Sequence, residues 1–150
     1  MALKNIKENN FTPSIFLWHQ GENDARMDGL HPSQLLKEKK YERTIHLKRK
    51  NTLGIDKQTY KDGLEIVIKR NRKYFPNANF GIALVSRCNN KESWTPVIEA
   101  QKEIIRSYNY TFMTADSDSI DLRYDGCHFS KKGAKILGEK YFDSLKKLLY

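Results

Sequence analysis

Residues 56–85 read DKQTYKDGLEIVIKRNRKYFPNANFGIALV, and a change of period inside that stretch decides the fold class. Tyr60, Leu64, Val67, Ile68 and Phe75 recur three, four or seven residues apart, which lines them up along one face of a helix. Asp56 stands ahead of them as a side-chain cap, and Pro76-Asn77 ends the pattern. The next segment, Phe80-Gly81-Ile82-Ala83-Leu84-Val85, is continuously apolar and too short for a helix of its own, as in a strand buried on both faces of a parallel sheet.

The same alternation extends in both directions. Upstream, Ile15-Phe16-Leu17-Trp18 lies between Pro13 and Gly21 and reads as another strand buried on both faces. It is preceded over residues 2–9 by a short amphipathic helix carrying Leu3 and Ile6. Downstream, Thr95 as cap and Pro96 at the first helical position open a helix with Val97, Ala100, Ile104 and Ile105 on its apolar side. Tyr110-Thr111-Phe112-Met113 is a third strand. A last helix follows Ser130, with Ala134, Leu137, Tyr141, Leu145 and Leu148 as its stripe. Strands alternating with helices predict one α/β domain, a parallel sheet covered by helices. Residues 26–55 interrupt the pattern as a polar, basic insertion, with a helical turn expected near Pro32 to Lys40.

With 150 residues and 39% hydrophobic residues, the chain fits one modest core. Its net charge of +9, from 27 Lys+Arg against 18 Asp+Glu, raises the question of nucleic acid. The basic residues are spread over almost every segment, densest at residues 37–40 and 48–50, and no nucleic-acid signature accompanies them. A solvated lysine-rich surface is the favoured reading, with neither nucleic acid nor membrane as partner. MALKNIKENN lacks the apolar stretch of a secretory signal, so the chain as written is expected to be cytoplasmic. Cys88 and Cys127 are read as reduced, structural thiols, too few for a disulfide framework or a zinc site. Cys127 is not the expected nucleophile, because adjacent residues such as Cys127 and His128 generally point apart in an extended loop. No metal or organic cofactor is expected.

Ligands of open α/β sheets bind beyond the carboxyl ends of the strands. Three polar segments fall there: His19-Gln20-Gly21-Glu22-Asn23-Asp24, Ser86-Arg87 and Asp125-Gly126-Cys127-His128. Trp18-His19-Gln20-Gly21-Glu22-Asn23-Asp24 resembles block III of the SGNH (GDSL-like) hydrolases. Its form is closest to the W-x-Q-G-E version of the sialate O-acetylesterase and acetylxylan esterase branch. Arg123-Tyr124-Asp125-Gly126-Cys127-His128-Phe129-Ser130, followed by Gly133, resembles that branch's block V, the D-x-x-H motif. Trp94 with Val97-Ile98-Glu99-Ala100-Gln101 resembles its W-x-x-x-R-E-A-Q helix, with Ile98 where Arg is common. The resemblance covers most of residues 14–149 outside the insertion.

It implies a flavodoxin-like three-layer fold with helices on both sheet faces. It also implies a Ser-His-Asp mechanism on acetylated carbohydrate, with His128 as general base and Asp125 accepting its second imidazole N–H. Asn23, Gln20 and Gly21 would form the oxyanion hole, Asn23 and Gln20 as amide donors and Gly21 as the sharp turn. Arg87 is a candidate substrate contact. Glu22 and Asp24 are expected to bond loop amides or Arg87, His19 to pack beside its strand, and Asp116 and Asp118 to cap a turn.

The family's nucleophile block has no counterpart here. No serine stands in a G-x-S setting; Ser14 lies in T-P-S, and the surroundings of Ser86 do not match. The chain therefore reads as the C-terminal part of such an esterase, lacking the N-terminal strands and completed by an N-terminal segment or a partner chain. The alternative is a catalytically inactive truncated domain that binds carbohydrate or a partner. In either case an uncovered edge or apolar face of the sheet is expected to promote self-association.

Overall fold

The computed structural model describes residues 2–25, 54–88 and 92–149. In chain order these form α1 (Ala2–Glu8), β1 (Ile15–Trp18), α2 (Lys57–Tyr74), β2 (Asn79–Leu84), α3 (Thr95–Ser107), β3 (Thr111–Asp116) and α4 (Lys131–Leu149). Most of the basic insertion, including the turn expected at residues 32–40 and both dense lysine clusters, lies outside the described residues. Its flanks are hydrogen-bonded to each other, Ile55 donating its N–H to the Asp24 carbonyl at 2.8 Å.

The three strands form one parallel sheet in the order β1-β2-β3. Ile15 is paired with Asn79 and Trp18 with Ile82; across the other seam Phe80 is paired with Thr111 and Ile82 with Met113, and the register shifts before Leu84 meets Asp116. Because the sheet grows in one direction, right-handed crossovers place α2 and α3 on the same face. There Tyr60, Leu64 and Ile68 of α2 meet Val97, Ala100 and Ile104 of α3 over Phe80 and Ile82, with Phe16 and Trp18 packed beside them. The fold is therefore mixed α/β, a parallel sheet flanked by helices.

Local chemistry explains the element ends. Asp56 caps α2 by accepting the Thr59 N–H at 2.9 Å, which holds its carboxyl below the usual aspartate range. Ser130 caps α4 by accepting the Gly133 N–H at 3.2 Å. At α3 the cap is Trp94 rather than Thr95, and no side chain does the capping. Pro96 removes one orphan donor and the Val97 N–H bonds the Trp94 carbonyl at 3.1 Å, so none is needed.

Two expectations about burial fail. Leu17 is 51% exposed, so β1 is not buried on both faces; within the described residues it pairs with β2 alone. The stripe of α4 has the right period, yet Ala134 and Leu148 are exposed and Leu137, Tyr141 and Leu145 only half-buried. This helix packs chiefly on β3 and leaves Phe142 65% exposed. A third correction concerns length: β3 runs to Asp116, past the apolar residues that announced it.

Candidate active site

The loop after β1 is fastened from below by one buried amide. Gln101 of α3 accepts the Val85 N–H at 3.0 Å and donates to the Val85 carbonyl (3.1 Å), the Gln20 carbonyl (3.2 Å) and the Tyr60 hydroxyl (2.9 Å). Tyr60 in turn donates to the Gln20 carbonyl at 2.6 Å, and burial pushes its own pKa up to about 12. Gly21 crosses directly above this clamp. A Cβ there would collide with the Val85 carbonyl and lie 2.9 Å from Gln101 Nε2. The chain does turn just after it, over residues 22–24, but glycine is required at 21 by the close approach of two backbones and not by a positive φ.

Asp118 organises the ends of β2 and β3. Buried to 6% exposure, it accepts the Ser86 N–H (2.9 Å), the Ser86 hydroxyl (2.6 Å) and the Arg87 N–H (3.0 Å). Ser86 also accepts the Trp94 N–H at 2.7 Å, so its hydroxyl is fully engaged in structure. Arg87 donates to the Asp118 carbonyl (2.6 Å) and to Asp121 (2.7 Å), not to Glu22 or Asp24. Asp116 does cap the turn, accepting the Ser119 N–H at 3.2 Å.

Asp125 and His128 sit on an exposed turn closed by an antiparallel bridge between Arg123 and Phe129. Asp125 Oδ2 lies 2.6 Å from His128 Nδ1, while Oδ1 accepts the N–H groups of His128 (2.7 Å) and Cys127 (2.9 Å). The His128 hydrogen bond, followed by those two amides, holds the Asp125 carboxyl at about 2. The imidazole that results is oriented through Nδ1, leaving Nε2 as the nitrogen suited to proton transfer. Gly126 takes φ 80°, the left-handed conformation that lets so tight a turn close. Tyr124 stacks against the His128 ring at 5.8 Å.

Two groups fix this turn to the body of the fold, and neither was foreseen. Arg123, with its side chain 3% exposed, donates to the carbonyls of Cys127, Arg87 (3.1 Å) and Ser117 (3.2 Å) and lies 4.3 Å over the Phe129 ring. Cys127 forms a disulfide with Cys88 at the exit of β2, which overturns the reading of both as reduced thiols. Their proximity is a product of the fold, since 39 positions separate them.

The first and last of these loops meet around one cavity of about 550 Å³, lined by His19, Glu22, Asn23, Cys88, Cys127, His128 and Phe129. Asn23 and His128 thus share a chamber at the carboxyl ends of the strands. The other oxyanion candidates do not line it: the Gln20 amide is hydrogen-bonded to Asp24, and the Gly21 N–H donates to Glu22 at 3.0 Å. Arg87 is likewise absent from the lining. His19 contributes to the wall, its Nδ1 3.1 Å from the Tyr141 hydroxyl and its Nε2 3.7 Å from Glu22. Burial lowers its pKa despite Glu22, so the ring is neutral near pH 7. Among the described residues no serine lines the chamber, and no group of three or more His, Cys, Asp or Glu is arranged to hold a metal. A depression of similar volume at the opposite rim, between residues 7–14 and 74–79, has no carboxylate or imidazole among the described residues that line it.

Among the described residues no helix is long and apolar enough to cross a membrane. Compared with protein-family models, with curated proteins and with solved structures, the chain matches none.

Proposed function

We propose that this chain carries the acid–base half of an SGNH-type carbohydrate O-acetylesterase site. His128 acts as general base and then acid, Asp125 orients it and stabilises the imidazolium, and Asn23 donates to the oxyanion. The observation that carries the reading is the 2.6 Å Asp125–His128 pair, whose imidazole lines a chamber shared with Asn23. A carboxylate bound to Nδ1 supplies the tautomer and counter-charge that acyl transfer demands. Acetyl esters of sugars as substrate follow from the resemblance of residues 18–24 and 123–130 alone.

The nucleophilic serine is supplied by a segment or partner chain outside these 150 residues. The test is aryl acetate hydrolysis by this chain alone and joined to an upstream strand–turn unit carrying G-x-S. Only the joined protein should turn over, and His128→Ala should remove roughly 10³-fold or more of its rate. Turnover of the joined protein that is indifferent to His128→Ala would refute the assignment. No turnover in either form favours the second reading, an inactive domain that binds carbohydrate or a partner. That reading draws on the lack of a serine in the chamber among the described residues.

A further inference from the structure

We propose that the Cys88–Cys127 disulfide is a thiol-sensitive latch on the Asp125–His128 turn, a modification site in the wall of the chamber itself. The turn has little else to hold it. Tyr124, Asp125, Gly126 and His128 are all exposed, so no apolar side chain of its tip is buried in the core. Its internal bonds are local: one backbone hydrogen bond, from the Tyr124 N–H to the His128 carbonyl at 3.0 Å, and those that Asp125 makes to Cys127 and His128. At its base Phe129 faces the His19 ring; at its tip the ties to the rest of the fold, among the described residues, are the Arg123 guanidinium and the disulfide, and both end on Cys127. The amide of that same residue is one of the three donors that hold Asp125. The covalent tie at Cys127 is therefore one hydrogen bond away from the carboxylate that orients His128.

The bond is also within reach of a reductant, since both cysteines line the open chamber. Cys88 is only 8% exposed whereas Cys127 is half-buried, so an incoming thiolate attacks Cys127 and Cys88 leaves. A dithiol completes the exchange. The S–S bond breaks, Cys88 and Cys127 each end as a thiol, and the two thiols of the reductant close to a disulfide, two electrons and two protons having been transferred. Reduced, the turn keeps Arg123 but loses its tie to β2, and the Asp125–His128 geometry slackens. As regulation of catalysis this rests on the hydrolase reading; as coupling between disulfide and turn it does not.

Residue-resolved hydrogen exchange on the full chain, with and without dithiothreitol, tests the latch. Reduction, verified by mass, should speed exchange at the Cys127 and His128 amides by about tenfold or more while Ile82 in β2 stays protected. The Asp125 carboxyl, followed by carbon NMR, should rise from about 2 toward the ordinary aspartate range. A Cys88→Ser/Cys127→Ser double variant should show both changes without reductant and no response to it. Unchanged exchange at the turn after full reduction would overturn the proposal. So would resistance of the bond to dithiothreitol, or loss of protection throughout β2 and α3, which would make the bond a general staple. None of these readouts uses an ester, so a loosened turn beside a blank esterase assay of the protein joined to the G-x-S unit would count against the hydrolase alone.

Discussion

Replacing Gln101 by leucine removes the clamp beneath the site while nearly conserving volume, and the expected damage can be worked from its partners. Gln101 is fully buried and makes four hydrogen bonds. The Gln20 carbonyl keeps its bond from Tyr60, so its loss is small. The Val85 N–H and carbonyl lose the partners that the Gln101 amide supplied. At about 1–3 kcal/mol for each of these two buried groups left unsatisfied, the substitution should cost roughly 2–6 kcal/mol. In urea, with a slope of about 1–3 kcal/mol/M, a loss of about 3 kcal/mol lowers the unfolding midpoint by roughly 1–3 M. The neighbouring Lys102→Leu removes only a partly exposed ion pair with Glu99, worth about 0–1 kcal/mol, and serves as the control. Gln101→Glu adds a signed pH test: a buried carboxylate facing two carbonyls has a raised pKa, so this variant should be more stable near pH 4 than near pH 8. A Gln101→Leu midpoint within error of Lys102→Leu would refute the clamp.

Two further outcomes follow from the geometry. The Asp125 carboxyl, held at about 2 chiefly by His128, should titrate closer to an ordinary aspartate in His128→Ala, as read by carbon NMR. Since its folded pKa is depressed, its support for the turn is present above about pH 4 and lost as pH falls toward 2; an unshifted titration in His128→Ala would contradict the pairing. The exposed Leu17, Met113 and Phe142 should make the chain self-associate with rising concentration, and Leu17→Ser with Phe142→Ser should reduce it. Sedimentation of a cooperative, stable monomer at every concentration would contradict that expectation.

Periodicity was enough for α2, β2 and α3, because each has a local pattern matched by its packing: Tyr60, Leu64 and Ile68 are spaced as they are buried. It was not enough to say how deeply β1 and α4 are covered. An apolar run looks the same on an edge strand as on a central one, and the α4 stripe records a period without recording what packs on it. The Asp-x-x-His turn and the loop carrying Asn23 were legible from short motifs and strand ends. Asp118 was not, since Asp in a serine-rich stretch reads as a turn former, and its role as acceptor for Ser86 and Arg87 arises only when two strand ends converge. Gln101 did leave a trace, a polar residue beside Ala100 and Ile104 on the buried side of a helix. The Cys88–Cys127 pairing and the Arg123 pin are tertiary, with no local pattern to announce them.

The claim beneath all of this is that the loop following Trp18 and the turn bearing Asp125 and His128 are neighbours. Proton–proton NOEs from the His19 ring test it most directly, since its centroid lies 6.4 Å from Phe129 and 6.1 Å from Tyr141. Cross-peaks from His19 to both rings are the predicted result. A well-dispersed spectrum in which His19 shows no proximity to either ring would separate the two loops and dissolve the site.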